Sequence, residues 1–370
     1  MEVESGDKKR RQALLKASAV VASVLGLALF RNEFHMLADL FFIIVPMCLA
    51  MLVVHELGHV LAAALAGFRF EMLILGPLQI SREGNRLALK FNRCFYLFGA
   101  VSVPMDERNL RPRIALTFLG GPIASLLTGV ILSCVFSKMS LVISATDPTM
   151  NLRIAFQIGI YAATLLSFII AIITIFPSNK PGAANDGSRA LRVLRSGPQG
   201  EREAGLFALL GQARTGRRPR EWHPKLIDAV TALSDDSLYE VSGLILAYNF
   251  QLDKGDIEAA GKTLDSALSK THLYPTIFRT EIYLEAAYFN AIFRKDATSA
   301  RKHLTQADKA NSFVEKATYC RAEAATLFAE GDFEGATKRV EEGLLFVGDK
   351  SLYERERLQS ILTRERAELL

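Results

Sequence analysis

Residues 40–66 read LFFIIVPMCLAMLVVHELGHVLAAALA, a run long enough for one membrane-spanning helix. A helix rises about 1.5 Å per residue, so about 20 apolar residues cross the hydrocarbon core of a bilayer. The ionisable side chains of His55, Glu56 and His59 interrupt this run. A charged side chain at the centre of a membrane helix costs about 2.5–3.5 kcal/mol on insertion scales, and such residues usually mark a functional site.

That run is one of four apolar stretches in the chain, and all of them precede residue 177. Windows of about 19 apolar residues identify membrane helices. We therefore predict four spans, at about residues 13–30, 38–66, 114–136 and 154–176. The first stretch is longer than the apolar core of a signal peptide and no A-x-A site precedes Arg31, so an uncleaved span is favoured over a cleaved signal.

The basic residues of the short loops predict the orientation of the spans. Eight arginines and lysines lie within residues 67–113, between the second and third spans, whereas the loop after the first span has only Arg31. Basic loops stay on the cytoplasmic side of a membrane. We therefore expect a multi-pass integral membrane protein with both termini in the cytoplasm, and short loops of this kind are typical of a bacterial inner membrane.

Residues 67–113 also carry strand patterns. Residues 70–80 are rich in apolar side chains around Gly76-Pro77, residues 86–91 alternate, and residues 95–103 are apolar around Gly99. These patterns predict two or three short strands at the membrane surface.

Composition separates the chain into two parts. Half of its 370 residues are apolar and 22% are charged, which is too apolar for a soluble enzyme and too charged for a wholly membrane-embedded chain. Amphipathic patterns begin near residue 188. We predict a membrane domain over residues 1–195 and a cytoplasmic helical domain over residues 196–370. The fold class is thus mainly α: a polytopic helix bundle with a short β segment, followed by a soluble α-helical repeat domain.

The cysteine and charge patterns argue against three further possibilities. The four cysteines include no CxxC pair, which argues against a disulfide scaffold and against a cysteine zinc site. The net charge is +5, but the basic residues form no single tract and have no aromatic residues interleaved with them. We therefore expect no nucleic-acid partner.

His55-Glu56-Leu57-Gly58-His59 follows the pattern H-E-x-x-H. Residues four apart lie about 400° round a helix, so the two histidines project from nearly the same face and can reach one zinc ion. Glu56, between them, can approach a water molecule at the metal. The alternative is a polar cluster satisfied by neighbouring helices without a metal, although three ionisable groups in one turn are energetically costly to bury.

A catalytic zinc site needs a third protein ligand. Residues 176–187, FPSNKPGAANDG, directly follow the fourth span and predict an unwound segment whose backbone polar groups must face protein or water. Asp186 is the candidate carboxylate for the third position. The alternative is that Asn185-Asp186-Gly187 forms only a turn that leads into a helix.

With these residues the chain resembles the site-2 protease family of intramembrane zinc metalloproteases, over about residues 38–195. The resemblance is carried by His55-Glu56-Leu57-Gly58-His59, by Gly120-Gly121-Pro122 in the third span and by Asp186-Gly187. It implies that His55, His59 and Asp186 bind one zinc ion and that Glu56 is the general base in peptide-bond hydrolysis. It also implies a membrane-anchored protein as substrate, cleaved in or near a transmembrane segment.

Two positions depart from the pattern of that family. The family often has Asn and Pro about eight and five residues before the aspartate; Pro181 fits, whereas Asn179 stands one place off. Many members have Asn three residues after the Gly-Pro proline, where this chain has Ser125. Asn179 is the candidate for a contact with the substrate backbone.

Three segments of the C-terminal half resemble one another. The pairs Gly255-Asp256, Lys295-Asp296 and Gly331-Asp332 are each followed, four residues after the aspartate, by an alanine. Helix, short turn and helix at a period near 34–40 residues resembles tetratricopeptide repeats, and the alternative is an unspecialised helical bundle. Such repeats offer a concave groove, so we expect a peptide or protein partner there.

The sequence therefore predicts an integral membrane zinc metallopeptidase with a cytoplasmic helical domain. One alternative is a catalytically silent membrane scaffold that recruits partners through the helical domain. Another is a zinc site with a structural role. The intact set of His55, Glu56, His59 and Asp186 favours the enzyme, because Glu56 has no use at a structural site.

Overall fold

The structure is a computed structural model of the chain and describes residues 35–83, 86–91, 97–139, 150–178, 184–307, 314–347 and 351–368. The span predicted at residues 13–30 and the candidate Asn179 lie outside these residues.

Three helices of the described residues are long and apolar enough to cross a membrane. They are α1 (His35–Leu65), α2 (Leu110–Lys138) and α3 (Met150–Ile175). Their apolar parts, Phe41–Leu65, Leu110–Lys138 and Arg153–Ile175, correspond to the second, third and fourth predicted spans. The predicted orientation of these helices in a membrane stays a prediction.

A small antiparallel sheet lies between α1 and α2 in the sequence. Its strands are β1 (Phe68–Leu75), β2 (Leu78–Glu83), β3 (Arg86–Phe91) and β4 (Phe98–Pro104), in the spatial order β3-β2-β1-β4. A small sheet was expected here, but with two or three strands rather than four. The apolar stretch at residues 70–80 divides because Gly76, at φ +60°, turns the chain and pairs Leu75 with Leu78 across a hairpin.

The remainder of the described chain is helical. The helices are α4 (Asp186–Leu194), α5 (Pro198–Arg214), α6 (Pro224–Thr231), α7 (Leu238–Asp253), α8 (Ile257–Ser269), α9 (Thr276–Phe289), α10 (Ala297–Gln306), α11 (Lys316–Ala329), α12 (Phe333–Phe346) and α13 (Leu352–Glu368). A single π-helical turn, Asn290–Arg294, extends α9.

The three similar segments of the C-terminal half form three helix pairs, α7/α8, α9/α10 and α11/α12. In each pair an aspartate caps the second helix by accepting a hydrogen bond from a backbone N–H three residues later, and the residue before it has a positive φ. One turn further on, each pair has a fully buried alanine. These aspartates and alanines are Asp256, Asp296, Asp332, Ala260, Ala300 and Ala336. Membership of the tetratricopeptide class stays a prediction.

The described residues group into two compact units. One unit runs to His55 and resumes over Ile123–Ile172, and the other comprises Glu56–Pro122 and Ile173–Leu370. The second unit therefore contains the sheet together with the helices from α4 onward. The domain division predicted at residues 195 and 196 stays a prediction.

Within the second unit, α5 packs against the sheet and the start of α2. The ring of Phe207 lies 6.4 Å from the ring of Phe68 and 5.6 Å from that of Phe118, and all three belong to one apolar cluster. Gly211 meets Pro104 so closely that a Cβ there would lie 2.4 Å from the proline carbonyl oxygen. Aromatic burial and this backbone approach together anchor α5.

A buried charge network joins four of the C-terminal helices. Glu285 of α9 accepts hydrogen bonds from Arg321 of α11, at 2.6 Å, and from Arg357 of α13. The Tyr248 hydroxyl of α7 donates to the same carboxylate at 3.0 Å. All four side chains are buried. Removing one partner would leave a buried charge without compensation, which typically costs about 3–5 kcal/mol.

We expect this network to set the acid stability of the C-terminal helices. Burial alone would raise the pKa of Glu285, but Arg321 and Arg357 outweigh it and lower this pKa from 4.5 to about 2. A carboxyl with a lowered folded-state pKa contributes stability above its unfolded pKa, and that contribution is lost as the pH falls from 4.5 towards 2. The thermal unfolding midpoint should therefore fall in that window, and Glu285→Gln should flatten this part of the pH profile.

The same variant should be destabilised by about 3–5 kcal/mol at neutral pH. A matched control is Glu258→Gln, which removes an exposed carboxylate paired with Lys262 and should change stability by less than about 0.5 kcal/mol. An acid profile of Glu285→Gln that parallels the wild type would contradict the assignment.

Candidate metal centre

His55 and His59 lie one turn apart on α1, and α2 supplies a hydrogen-bond partner for each ring. Nδ1 of His59 donates to the backbone carbonyl of Thr117 at 2.8 Å. Because a carbonyl oxygen only accepts, the proton of the ring resides on Nδ1, and Nε2 presents its lone pair. Nδ1 of His55 lies 2.9 Å from the hydroxyl of Ser125, which is itself buried. Both rings are thus oriented through Nδ1, the usual arrangement for metal-binding histidines.

A close approach of the two backbones lets α2 reach these rings. A Cβ at Gly120 would lie 2.4 Å from the carbonyl oxygen of Gly58, so only glycine fits at this position of α2. Small residues permit such contacts between membrane helices. The Gly120-Gly121-Pro122 motif therefore has a structural reason: it brings the carbonyl of Thr117 within reach of His59.

Asp186 is the first residue of α4, and its carboxylate lies beside His59. The distance from Oδ2 of Asp186 to Nε2 of His59 is 3.5 Å. Tetrahedral ligands at about 2.1 Å from zinc are about 3.4 Å apart, so this spacing suits a shared metal ion. The segment also begins a helix, as the turn interpretation expects, and the ligand role of Asp186 stays a prediction.

Asn185 and Gly187 fix the position of Asp186. The Asn185 side chain accepts a hydrogen bond from the N–H of Ser188 and so caps α4, while its amide donates to the carbonyls of Ile173 and Phe176 at the end of α3, at 2.7 and 2.5 Å. A Cβ on Gly187 would lie 1.7 Å from the carbonyl oxygen of Ile175. One side chain therefore ties the end of α3 to the start of α4, and the next glycine allows the close contact.

The three candidate ligands come together. One ligand atom from each of His55, His59 and Asp186 lies within 4.8 Å of the other two, and α1 is continuous from His55 to His59. Two imidazole nitrogens and a carboxylate oxygen form a donor set that zinc prefers at catalytic sites, where a fourth position stays open. The residues present therefore fit zinc.

Glu56 lies on α1 directly after His55 and is half-buried. Its catalytic role and the ligand roles of the other three residues stay predictions, as does substrate contact by Asn179.

Four residues of the site have positioning contacts that the sequence did not predict. Ser125 is a polar residue inside an apolar span, at the position where the related family often has Asn, so a sequence signal existed. Asn185 and Gly187 were assigned only to a turn or a motif. Thr117 acts through its backbone carbonyl, which no side-chain pattern reveals.

We expect Ser125→Ala to weaken metal binding. Loss of the hydroxyl frees the ring of His55 to rotate, and removal of such an outer partner typically costs about 10–100-fold in metal affinity. The measurement is zinc affinity of the detergent-purified full-length protein by chelator competition. Ser133→Ala is the control on the same helix, because its hydroxyl donates a hydrogen bond to the carbonyl of Gly129, one turn earlier on α2. Equal zinc affinity in the two variants would refute the role of Ser125.

Gly187→Ala should displace the first turn of α4 and with it Asp186. A contact of 1.7 Å with backbone cannot be relieved by a side-chain rotation, so we expect a loss of about tenfold or more in zinc affinity together with a lower thermal unfolding midpoint. At Gly99 an added Cβ meets nothing within 4 Å, and Gly99→Ala should leave both quantities unchanged. An unchanged zinc affinity in Gly187→Ala would contradict this prediction, because it would show that α4 can shift while Asp186 keeps its position.

Comparison with known families supplies an independent result. The sequence model of Peptidase family M50 matches residues 42–271, which is more than half of the chain and includes every candidate ligand. Neither the curated proteins nor the solved structures give a significant match. Peptidases of this family are zinc-dependent intramembrane proteases, in agreement with the apolar helices and with the His-His-Asp group. The chain is a member of Peptidase family M50, an integral membrane metallopeptidase.

Proposed function

We propose that the chain is a site-2-type metalloendopeptidase that hydrolyses a peptide bond in or near a transmembrane segment of a membrane-anchored protein. One zinc ion per chain is held by His55, His59 and Asp186. The observation that carries the proposal is the convergence of these three ligand atoms within 4.8 Å, next to Glu56 on a helix apolar enough to span a membrane.

In this mechanism each residue of the site has one task. Zinc, when bound, supplies Lewis acidity, which makes water easier to deprotonate and a peptide carbonyl easier to attack. Glu56 accepts the proton of the attacking water and returns it to the amine of the leaving fragment. Thr117 keeps the proton of His59 on Nδ1, so that Nε2 remains a ligand. Ser125 holds the ring of His55 in the ligating orientation.

The proposed setting is a bacterial inner membrane with both termini in the cytoplasm. Residues 1–195 form the membrane-embedded protease and residues 196–370 the cytoplasmic helical domain in this proposal. The basic residues of the 67–113 segment support this orientation, which puts the metal centre in the cytoplasmic half of α1. Cleavage then takes place near the cytoplasmic side.

Substrate must present an extended peptide bond, so its helix has to unwind or enter from a frayed end. We propose that the extended segment adds to an edge of the sheet, as peptides do in β-augmentation. Support comes from the strand order, which leaves β3 at an edge with Leu87 and Leu89 exposed. The groove expected of tetratricopeptide-like repeats would bind a further peptide or protein partner.

The decisive test compares membrane-protein fragments in cells that carry wild type or Glu56→Gln. Because Gln cannot accept the proton, the variant should retain about one zinc per chain and lose essentially all cleavage. A full-length or partly trimmed membrane protein that accumulates only in the variant would identify the substrate.

His55→Ala provides the second arm of the test, since it should abolish zinc binding as well as cleavage. Identical fragment patterns in wild type and Glu56→Gln, with zinc bound in both, would favour a catalytically silent scaffold. Zinc binding that persists in His55→Ala would contradict the proposed ligand set.

A further inference from the structure

The helix that begins with Asp186 cannot hold its own position. Helix α4 has only nine residues, Asp186–Leu194, and isolated helices of that length are unstable in water. Asn185 fixes its first turn to the end of α3, but one turn of capping does not set the direction of the helix axis. The placement of the Asp186 carboxylate therefore depends on what packs along the rest of α4.

Arg189 adds a charged contact to the apolar side chains of α4 that pack it against its neighbours. It lies three residues after Asp186, hence on nearly the same face of the helix. Its guanidinium carbon is 4.0 Å from the centre of the Phe118 ring on α2, and its Nε donates to Oε1 of Glu203 on α5 at 2.5 Å. One side chain thus joins α4 to two other helices.

Arg189 is connected to the candidate metal centre in two ways, through Phe118 and through its own helix. Phe118 directly follows Thr117, whose carbonyl accepts the Nδ1 proton of His59. Asp186 lies one turn before Arg189. The stacked pair of Arg189 and Phe118 is therefore linked to His59 through Thr117 and to Asp186 through α4. Nε2 of His59 and Oδ2 of Asp186 lie 3.5 Å apart.

Glu203 determines where the guanidinium of Arg189 lies. The side chain of Glu203, on α5, is only 5% exposed. One turn later on α5, Phe207 packs against the rings of Phe68 and Phe118 and so fixes this helix. A carboxylate anchored in this way is a fixed acceptor for Arg189. Without it, the guanidinium would keep the desolvation cost of its position and lose its charged partner, so it would turn towards water.

We propose that Glu203 is a positioning residue of the metal centre: through Arg189 stacked on Phe118, it holds α4 so that Asp186 meets His59. The proposal rests on the proposed function, because it concerns the same zinc ion. It makes α5, which lies beyond the last described candidate span, a part of the active-site support. The proposal assigns no such role to Glu201, a neighbour on α5 whose carboxylate is exposed and pairs with Arg111.

The test measures zinc affinity by chelator competition in the full-length protein in detergent, for wild type, Glu203→Gln and the matched control Glu201→Gln. Gln keeps the size of the side chain and removes its charge. We expect Glu203→Gln to raise the zinc dissociation constant about tenfold or more and Glu201→Gln to change it less than twofold. The thermal unfolding midpoint of each protein is measured with the metal removed, to separate positioning from stability.

A merely structural role for Glu203 would lower the metal-free midpoint and leave the zinc dissociation constant at its wild-type value, which would overturn the proposal. If Glu203→Gln does not fold, the double variant Arg189→Gln with Glu203→Gln removes both charges and leaves neither unpaired. It should fold and still bind zinc more weakly than Glu201→Gln, and wild-type affinity in the double variant would likewise overturn the proposal.

The same experiment distinguishes this inference from the proposed function. If the wild type binds about one zinc ion and His55→Ala binds none, the metal centre stands whatever Glu203→Gln does. Wild-type zinc affinity in Glu203→Gln would then refute only the positioning role of Glu203. If the wild type binds no zinc, both the proposed function and the inference fail.

Discussion

The location of His55, Glu56 and His59 within an apolar helix is the constraint on which the rest of the structure depends. Polar groups in such a place need partners within the protein, because lipid provides none. The hydroxyl of Ser125 and the carbonyl of Thr117 meet two of these needs. That arrangement requires α1 and α2 to approach closely at a glycine of α2. It also leaves Nε2 of His59 facing the carboxylate of Asp186. The geometry of the candidate metal centre follows from the partners that these groups need.

Much of the fold could be predicted because its signals are local. Continuous apolar runs predicted the helices that contain His59, Pro122 and Thr164, and alternating residues predicted strands. The spacing of His55 and His59 predicted that they share a helix face, and Asp186 was found by its place after a span. In the C-terminal half, the recurrence of aspartate and alanine marked the caps and buried positions of three helix pairs.

The remaining features depend on distances between segments far apart in the chain. A glycine gives no sign that its missing Cβ would collide with a carbonyl 12 residues earlier, as it does at Gly187 with Ile175. A backbone acceptor such as the carbonyl of Thr117 has no sequence signature. The charge network around Glu285 is equally hidden, since Arg321 and Arg357 resemble any other charged residues of a soluble helix until the packing buries them. The number of strands was missed because a hairpin turn inside an apolar run looks like one strand.

Asn185 has a consequence for how this chain can vary. Its side chain bonds to the last carbonyls of α3 and to the first turn of α4, so the two helix ends are joined directly rather than through the residues that connect them. The position of Asp186 is therefore decoupled from the length of that connection. A change in the length of that connection can therefore leave the carboxylate of this candidate ligand in place.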